Sequence, residues 1–218
     1  MGFLDKIFGN KPKPPVRVLD HPAKLNAGDM LTLDDSFALP PQLRGQQLKV
    51  ERVSCYEYER SRHAEWLLKG RDNQPVFMML EQDDEELLAF SIKLTRAEVE
   101  QLFNLDEFAQ IFEQPGNVTL KLQGDARSHF PELAQWLADE YHQVSFATFG
   151  YFHLNDYRLM SPPAAQGDAF ESYCLDSADE QRSVEIEVYE SGETDVMLTL
   201  YRPLTDIRDF WPGASQSL

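Results

Sequence analysis

Cysteine is scarce in this chain: Cys55 and Cys174 are the only two in 218 residues, and no CxxC spacing occurs. That excludes a disulfide framework of the kind that staples small secreted domains. One bridge between the two distant cysteines stays open on sequence grounds. Basic residues are also short, 20 against 37 acidic ones, for a formal net charge of −17. Phosphate backbones repel such a chain, since nucleic-acid affinity rests on Lys and Arg releasing counterions. Nucleic acid is therefore set aside as a partner. No apolar run approaches the roughly 18 residues of a spanning helix. The N-terminus lacks the long apolar core and small-residue cleavage site of a secretory signal. These absences point to a cytoplasmic protein with reduced thiols.

The motifs of common chemistries are missing too. The histidines His21, His63, His129, His142 and His153 show no HExxH, HxH or Cys/His finger spacing. There is no GxSxG elbow, phosphate-binding glycine loop or dinucleotide fingerprint. The acidic run Asp83-Asp84-Glu85-Glu86 lacks the spacing and turn glycine of a calcium loop, and reads as a solvated hairpin tip. A Cys/His nucleophile pair has no local signature, and cysteine is commonly a small buried apolar residue. No catalytic residue, metal site or cofactor is assigned on this basis, and a non-enzyme is the favoured reading.

What the chain does have is the composition of a folded protein, 42% hydrophobic and 11% aromatic, and an internal echo. Val76–Phe103 lies over Val184–Trp211 without a gap at an offset of 108. Val76 then meets Val184, Met78 meets Ile186, Phe90 meets Leu198, Ile92 meets Leu200, Val99 meets Ile207 and Phe103 meets Trp211. Each copy reads as strand, polar turn, strand and short terminal helix. Part of the agreement is the period-two alternation that any two hairpins share.

The rest of the chain extends this pattern. Alternating segments predict strands over Met30–Leu33, Gln47–Glu59 (with a slip near Ser54), His63–Lys69, Val118–Leu122, Val144–Leu154 and Phe170–Asp176. Thr95-Arg96-Ala97-Glu98 has capping-box spacing ahead of Val99, Leu102 and Phe103. Pro131–His142 carries Leu133, Trp136, Leu137 and Tyr141 at helical spacing behind a first-turn proline, and predicts a second helix. The expected fold is α+β, predominantly antiparallel β. It comprises two related β-meander units, residues 16–114 and 115–218, each closed by a short helix and read as partly open barrels packed into one body.

Two segments stand outside the echo. Residues 1–15 form a basic amphipathic terminus and a Pro-rich tether. Phe3, Leu4, Ile7 and Phe8 share one helical face, and Lys11–Pro15 favours an extended spacer. Lys6, Lys11, Lys13 and Arg17 against Asp5 alone give residues 1–17 a local charge of +3 on an otherwise acidic chain. Phe3, Leu4, Lys6, Ile7, Phe8, Lys11 and Lys13 are thus the candidate contacts to an anionic membrane surface or a protein partner, with binding that is weak per copy. The second segment is aromatic: Phe146, Phe149, Tyr151, His153 and Tyr157 are candidates to line a ligand cavity, although large rings serve as core filling as well. Two functions follow. One is a non-catalytic binding or adaptor protein at the cytoplasmic face of a membrane, which the resemblance described next would place in a stress-related system; the other is a small-molecule-binding or enzymatic β-barrel built around residues 146–157. The oligomeric state is open.

Leu25-Asn26-Ala27-Gly28-Asp29, the Tyr56–Tyr58 strand, Trp66-Leu67-Leu68 and the Thr95 helix together resemble the YjfK-like family of uncharacterised bacterial proteins, over most of the chain. The resemblance implies a bacterial cytoplasmic protein with no assigned activity and no catalytic residues to carry over. It also implies genes lying near PspA-like membrane-stress proteins.

Overall fold

The computed structural model describes residues 17–82, 85–163 and 167–213. The amphipathic terminus, with Phe3, Leu4, Lys6, Ile7, Phe8, Lys11 and Lys13, lies outside the described residues. Eleven strands form one antiparallel sheet: β1 (Met30–Leu33), β2 (Gln47–Tyr58), β3 (Arg62–Lys69), β4 (Pro75–Gln82), β5 (Glu86–Lys93), β6 (Thr119–Lys121), β7 (Glu140–His153), β8 (Asp168–Asp176), β9 (Arg182–Tyr189), β10 (Thr194–Pro203) and β11 (Ile207–Trp211). The helices are short: α1 (Arg96–Leu102), α2 (Leu105–Gln110) and α3 (Ala126–His129). None of the described helices is long and apolar enough to cross a membrane.

Two four-stranded meanders, β2–β5 and β7–β10, meet at both edges. β5 pairs with β10, and β2 pairs with β7, so the hydrogen-bonded pairings run round a ring of eight strands. The two longest strands each divide one edge between two neighbours. β2 gives its first residues to β1 and its last four to β7, while β7 gives its first three residues to β6 and its last four to β2. Register shifts within β2 at Val50/Arg52 and within β7 between Gln143 and Thr148 bend these strands where they change partner. Closure needs a close approach at Gly150, opposite Tyr58: a Cβ there would stand 2.8 Å from the Phe170 ring and 3.1 Å from the Glu57 carbonyl oxygen.

Period-two alternation gives each ring strand two faces, and on β2, β3, β9 and β10 one is apolar and the other largely polar. Val184 and Ile186 of β9, Leu198 of β10, Phe90 of β5, and Trp66 and Leu68 of β3 lie on one face. They join a single buried cluster with Leu25, Leu31, Leu39, Val99, Leu102 and Trp136 from the elements outside the ring. The Trp66 indole N–H donates to the Leu25 carbonyl at 3.1 Å, tying the segment before β1 to that face. The opposite face carries Ser54, Tyr56, Glu65, Ser91, Glu187 and Thr199, all buried. Residues of this face on β2, β3, β4, β5, β9 and β10 line one shared chamber, so the polar face is the concave one. The ring is apolar outside, beneath its covering elements, and polar within.

Three expectations are corrected. Leu204–Trp211 is not a helix: Leu204–Asp206 is a 3-10 turn, and Ile207–Trp211 leaves it as β11 to pair with β1. The second meander is therefore closed by a turn and a strand. Phe103 and Trp211 are correspondingly unlike, the first fully buried and the second 51% exposed with its indole N–H on Thr32 Oγ1. Pro131–His142 is likewise no helix. A 3-10 turn at Pro131–Leu133 gives way to β7 from Glu140. Leu133, Trp136, Leu137 and Tyr141 are all buried as the spacing requires, and the Tyr141 hydroxyl accepts from the Ala138 N–H at 2.8 Å to hold the bend. The slip in β2 falls at Val50/Arg52 and not at Ser54.

Gly150→Ala should lower stability by about 1–3 kcal/mol, because the added methyl has no room between Phe170 and β2. The urea midpoint checks this. An unchanged midpoint would show that the β2–β7 closure is looser than described.

Candidate functional site

The inner chamber of the ring has a volume of about 210 Å3. A wider cleft of about 710 Å3 shares Tyr56, Glu65, Phe77 and Met197 with it and adds Arg52, Lys93, Tyr151, Phe152, Tyr189 and Asp195 among its walls. The two adjoin through these shared residues, the wider one at the end of the ring where β7 ends and β8 begins.

Two glutamates anchor the narrow part. Glu65 on β3 stands opposite Ser54 on β2, whose hydroxyl donates to its Oε1 at 2.8 Å, and the Tyr56 hydroxyl lies 3.5 Å from its Oε2. Glu187 on β9 accepts from the Tyr189 hydroxyl at 2.5 Å. Burial pushes Glu65 up to about 7, against the opposing pull of the Ser54 hydrogen bond and of Arg52 and Lys93. Burial also raises Glu187 to about 7, offset by hydrogen bonds from Tyr189 and Tyr56 and reinforced by the nearby Glu65 and Glu185. Glu185 and Glu81 shift upward by burial as well. Tyr56, Tyr58 and Tyr189 are held as neutral phenols by burial and by the surrounding carboxyls. Ser91 and Thr199 close the layer across β5 and β10, their hydroxyls 2.8 Å apart.

The aromatic wall comes from several strands. Tyr56 packs on Phe152 with centroids 5.0 Å apart and edge-on to Phe170 at 5.6 Å. Neutral phenols, and carboxyls in their protonated form, can each donate or accept a hydrogen bond, and a carboxyl meeting a cation can give up its proton. The arrangement suits capture of a small polar molecule with an apolar body.

The sequence-derived ligand candidates are divided. Tyr151 lines the wide cleft. Phe149 packs edge-on against Tyr151 at 5.1 Å and is half exposed, whereas Phe146 packs on Tyr173 at the apolar face. His153 is buried, with its Nε2 2.9 Å from Glu57 Oε2 and Tyr157 stacked edge-on at 5.3 Å. Tyr157 lines a separate surface hollow with Arg62 and Arg158. Cys55 sits opposite His153 across the β2–β7 pair, but burial pushes its thiol upward, away from the thiolate a nucleophile needs. Among the described residues, no group of three or more His, Cys, Asp or Glu side chains is placed to hold a metal ion.

Glu65, Glu187, Tyr56 and Arg52 are absent from the sequence-derived set. The signal for Glu187 is visible in Ser183-Val184-Glu185-Ile186-Glu187-Val188-Tyr189, where polar and apolar residues alternate strictly. Alternation alone assigns such a polar face to solvent; the ring's curvature turns it inward. Compared with known proteins, the chain matches no family model, no curated protein and no solved structure.

Carboxyls raised by burial make stability depend on pH in a definite direction. Below about 4.5 each is protonated in both folded and unfolded chains, and the folded state loses nothing. As pH rises from there through about 7, the unfolded chain releases protons that the folded one retains, so stability falls. By linkage the loss is at most about 3 kcal/mol per carboxyl. The double variant Glu65→Gln, Glu187→Gln should therefore gain stability over the parent between pH 5 and pH 8 in urea titrations. A gap that stays constant with pH would contradict the buried protonated pair.

Proposed function

We propose that this chain is a non-catalytic binding protein whose ligand, a small organic molecule, occupies the interior of the eight-stranded ring. The supporting observation is the continuous space in which Glu65, Glu187 and Tyr56 converge from three strands with an aromatic wall. Polar groups buried without function are costly to a fold, whereas a ligand that completes their hydrogen bonds returns part of that cost. Membership of the YjfK-like family belongs to this reading and brings no activity with it. Two related meanders would supply the two halves of the ring.

The test is ligand-observed NMR against a library of polar fragments, followed by amide shift mapping. Binders should move resonances on β2, β3 and β9 and lose their signal in Met197→Trp, which fills the space the chamber and the cleft share. If no fragment binds, or if binding persists in that variant with its fold intact by amide spectrum, the reading fails.

A second role, as an adaptor at the cytoplasmic face of a membrane, draws on the charge asymmetry, +3 over residues 1–17 within a chain of net −17. Co-sedimentation with anionic vesicles should then exceed that of a chain starting at Pro14. Equal sedimentation removes the membrane role and leaves the ring's role untouched.

A further inference from the structure

Arg52 and Glu65 sit on one wall of the cleft and do not satisfy each other. Arg52 is paired with Leu67 across the β2–β3 ladder, so Glu65, two residues along β3 on the same face, is its diagonal neighbour. Ordinarily a guanidinium and a carboxyl so placed would meet as an ion pair. Here Glu65 takes its hydrogen bonds from Ser54 and Tyr56 instead. The Arg52 Nε is buried, and among the described residues no acceptor reaches it. Lys93, the other cation of this wall, is already paired with Asp195. A buried guanidinium N–H without an acceptor is costly to the fold, and so is a buried carboxyl that no cation contacts directly.

Both costs vanish if one ligand presents an anion to Arg52 and a cation to Glu65. We propose that the ligand of the ring is a small zwitterion, an α-amino acid or a close analogue. Its carboxylate is bound by Arg52 at the wide end, and its ammonium group by Glu65 and Glu187 within. Diagonal neighbours on a sheet face stand roughly 7–8 Å apart, a span that the adjacent charges of an α-amino acid, hydrogen-bonded at each end, can bridge. The ligand's side chain then runs along Tyr56, Phe77 and Phe152, which border the same space. An inner chamber of about 210 Å3 holds roughly seven water volumes, ample room for the ammonium end of such a ligand. Glu190, Glu193 and Asp195 at the rim repel free anions, so a simple carboxylate without an ammonium group is disfavoured. This inference rests on the ring interior being the binding site.

The experiment measures binding by calorimetry and amide shift mapping at pH 7 for each standard amino acid. Two partners of each are measured alongside: the amine left by removing its carboxylate and the acid left by removing its amino group. At least one amino acid should bind about tenfold or more tightly than both of its partners, the scale of one charged hydrogen bond. Arg52→Met should remove that tenfold preference over the amine while leaving the amine's own affinity unchanged. Glu65→Gln should reduce the amine and the amino acid together. Amines binding as tightly as amino acids, or an Arg52→Met variant that binds like the parent, would overturn the zwitterion while leaving the ring as a site for cations. If none of the compounds shifts an interior resonance but unrelated fragments do, the zwitterion is overturned alone. If nothing at all shifts, both readings fall.

Discussion

The structure depends on the direction in which one alternating face is turned. Each ring strand offers two rows, one apolar and one largely polar on β2, β3, β9 and β10, and closing β5 on β10 and β2 on β7 forces one row inward. Here the polar row goes in. The apolar row faces outward and must be covered, which is the task of β1, β11, α1, α2 and the turns around Leu25, Leu39 and Trp136. Everything outside the ring follows from that need. Without these covering elements, Val184, Ile186, Phe90 and Leu198 would be exposed, at about 25 cal/mol for each Å2 of apolar surface. The inward row in turn creates the site, because Glu65, Glu187 and Tyr56 cannot reach bulk water freely and must satisfy one another or a guest.

The energetic consequence is a fold that stores unfavourable electrostatics at its centre and offsets it at its periphery. Carboxyls that stay protonated to about pH 7 avoid the larger cost of buried charge. Tyrosine hydroxyls and the Ser54, Ser91 and Thr199 side chains supply the hydrogen bonds that neutral carboxyls and one another require. Such a centre is poor filling for a core, where leucine would pack better and titrate nothing. Its presence inside a ring whose outer face is closely packed separates two tasks: the outside holds the fold, and the inside encloses the chamber.

Much of the strand content was legible in the sequence because alternation is a local signal. The capping box was legible in full: Thr95 Oγ1 accepts from the Glu98 N–H at 3.3 Å, and the Glu98 carboxylate accepts from the Thr95 N–H at 2.6 Å. Ser91 and Thr199, which the offset of 108 superposes, face each other across the β5–β10 pair. What the sequence concealed was non-local. Leu204–Trp211 has a helical pattern of apolar residues, yet the free edge of β1 takes Ile207–Trp211 as a strand. Trp136 and Tyr141 match a helix equally well, but β6 and β8 claim the residues from Glu140 onward. The site was hidden for the same reason: a glutamate on an alternating strand reads as solvated until curvature is known.

The central claim is that the polar face lies inside a closed ring, and the ionisation of its glutamates reads that placement directly. A carbon-13 NMR titration of the glutamate side-chain carboxyls, with Glu65→Gln and Glu187→Gln for assignment, is the measurement of choice. The account predicts midpoints near 7 for Glu65 and Glu187, well above the ordinary glutamate value of 4.5. Midpoints for Glu65 and Glu187 at that ordinary value would place them in water and contradict it.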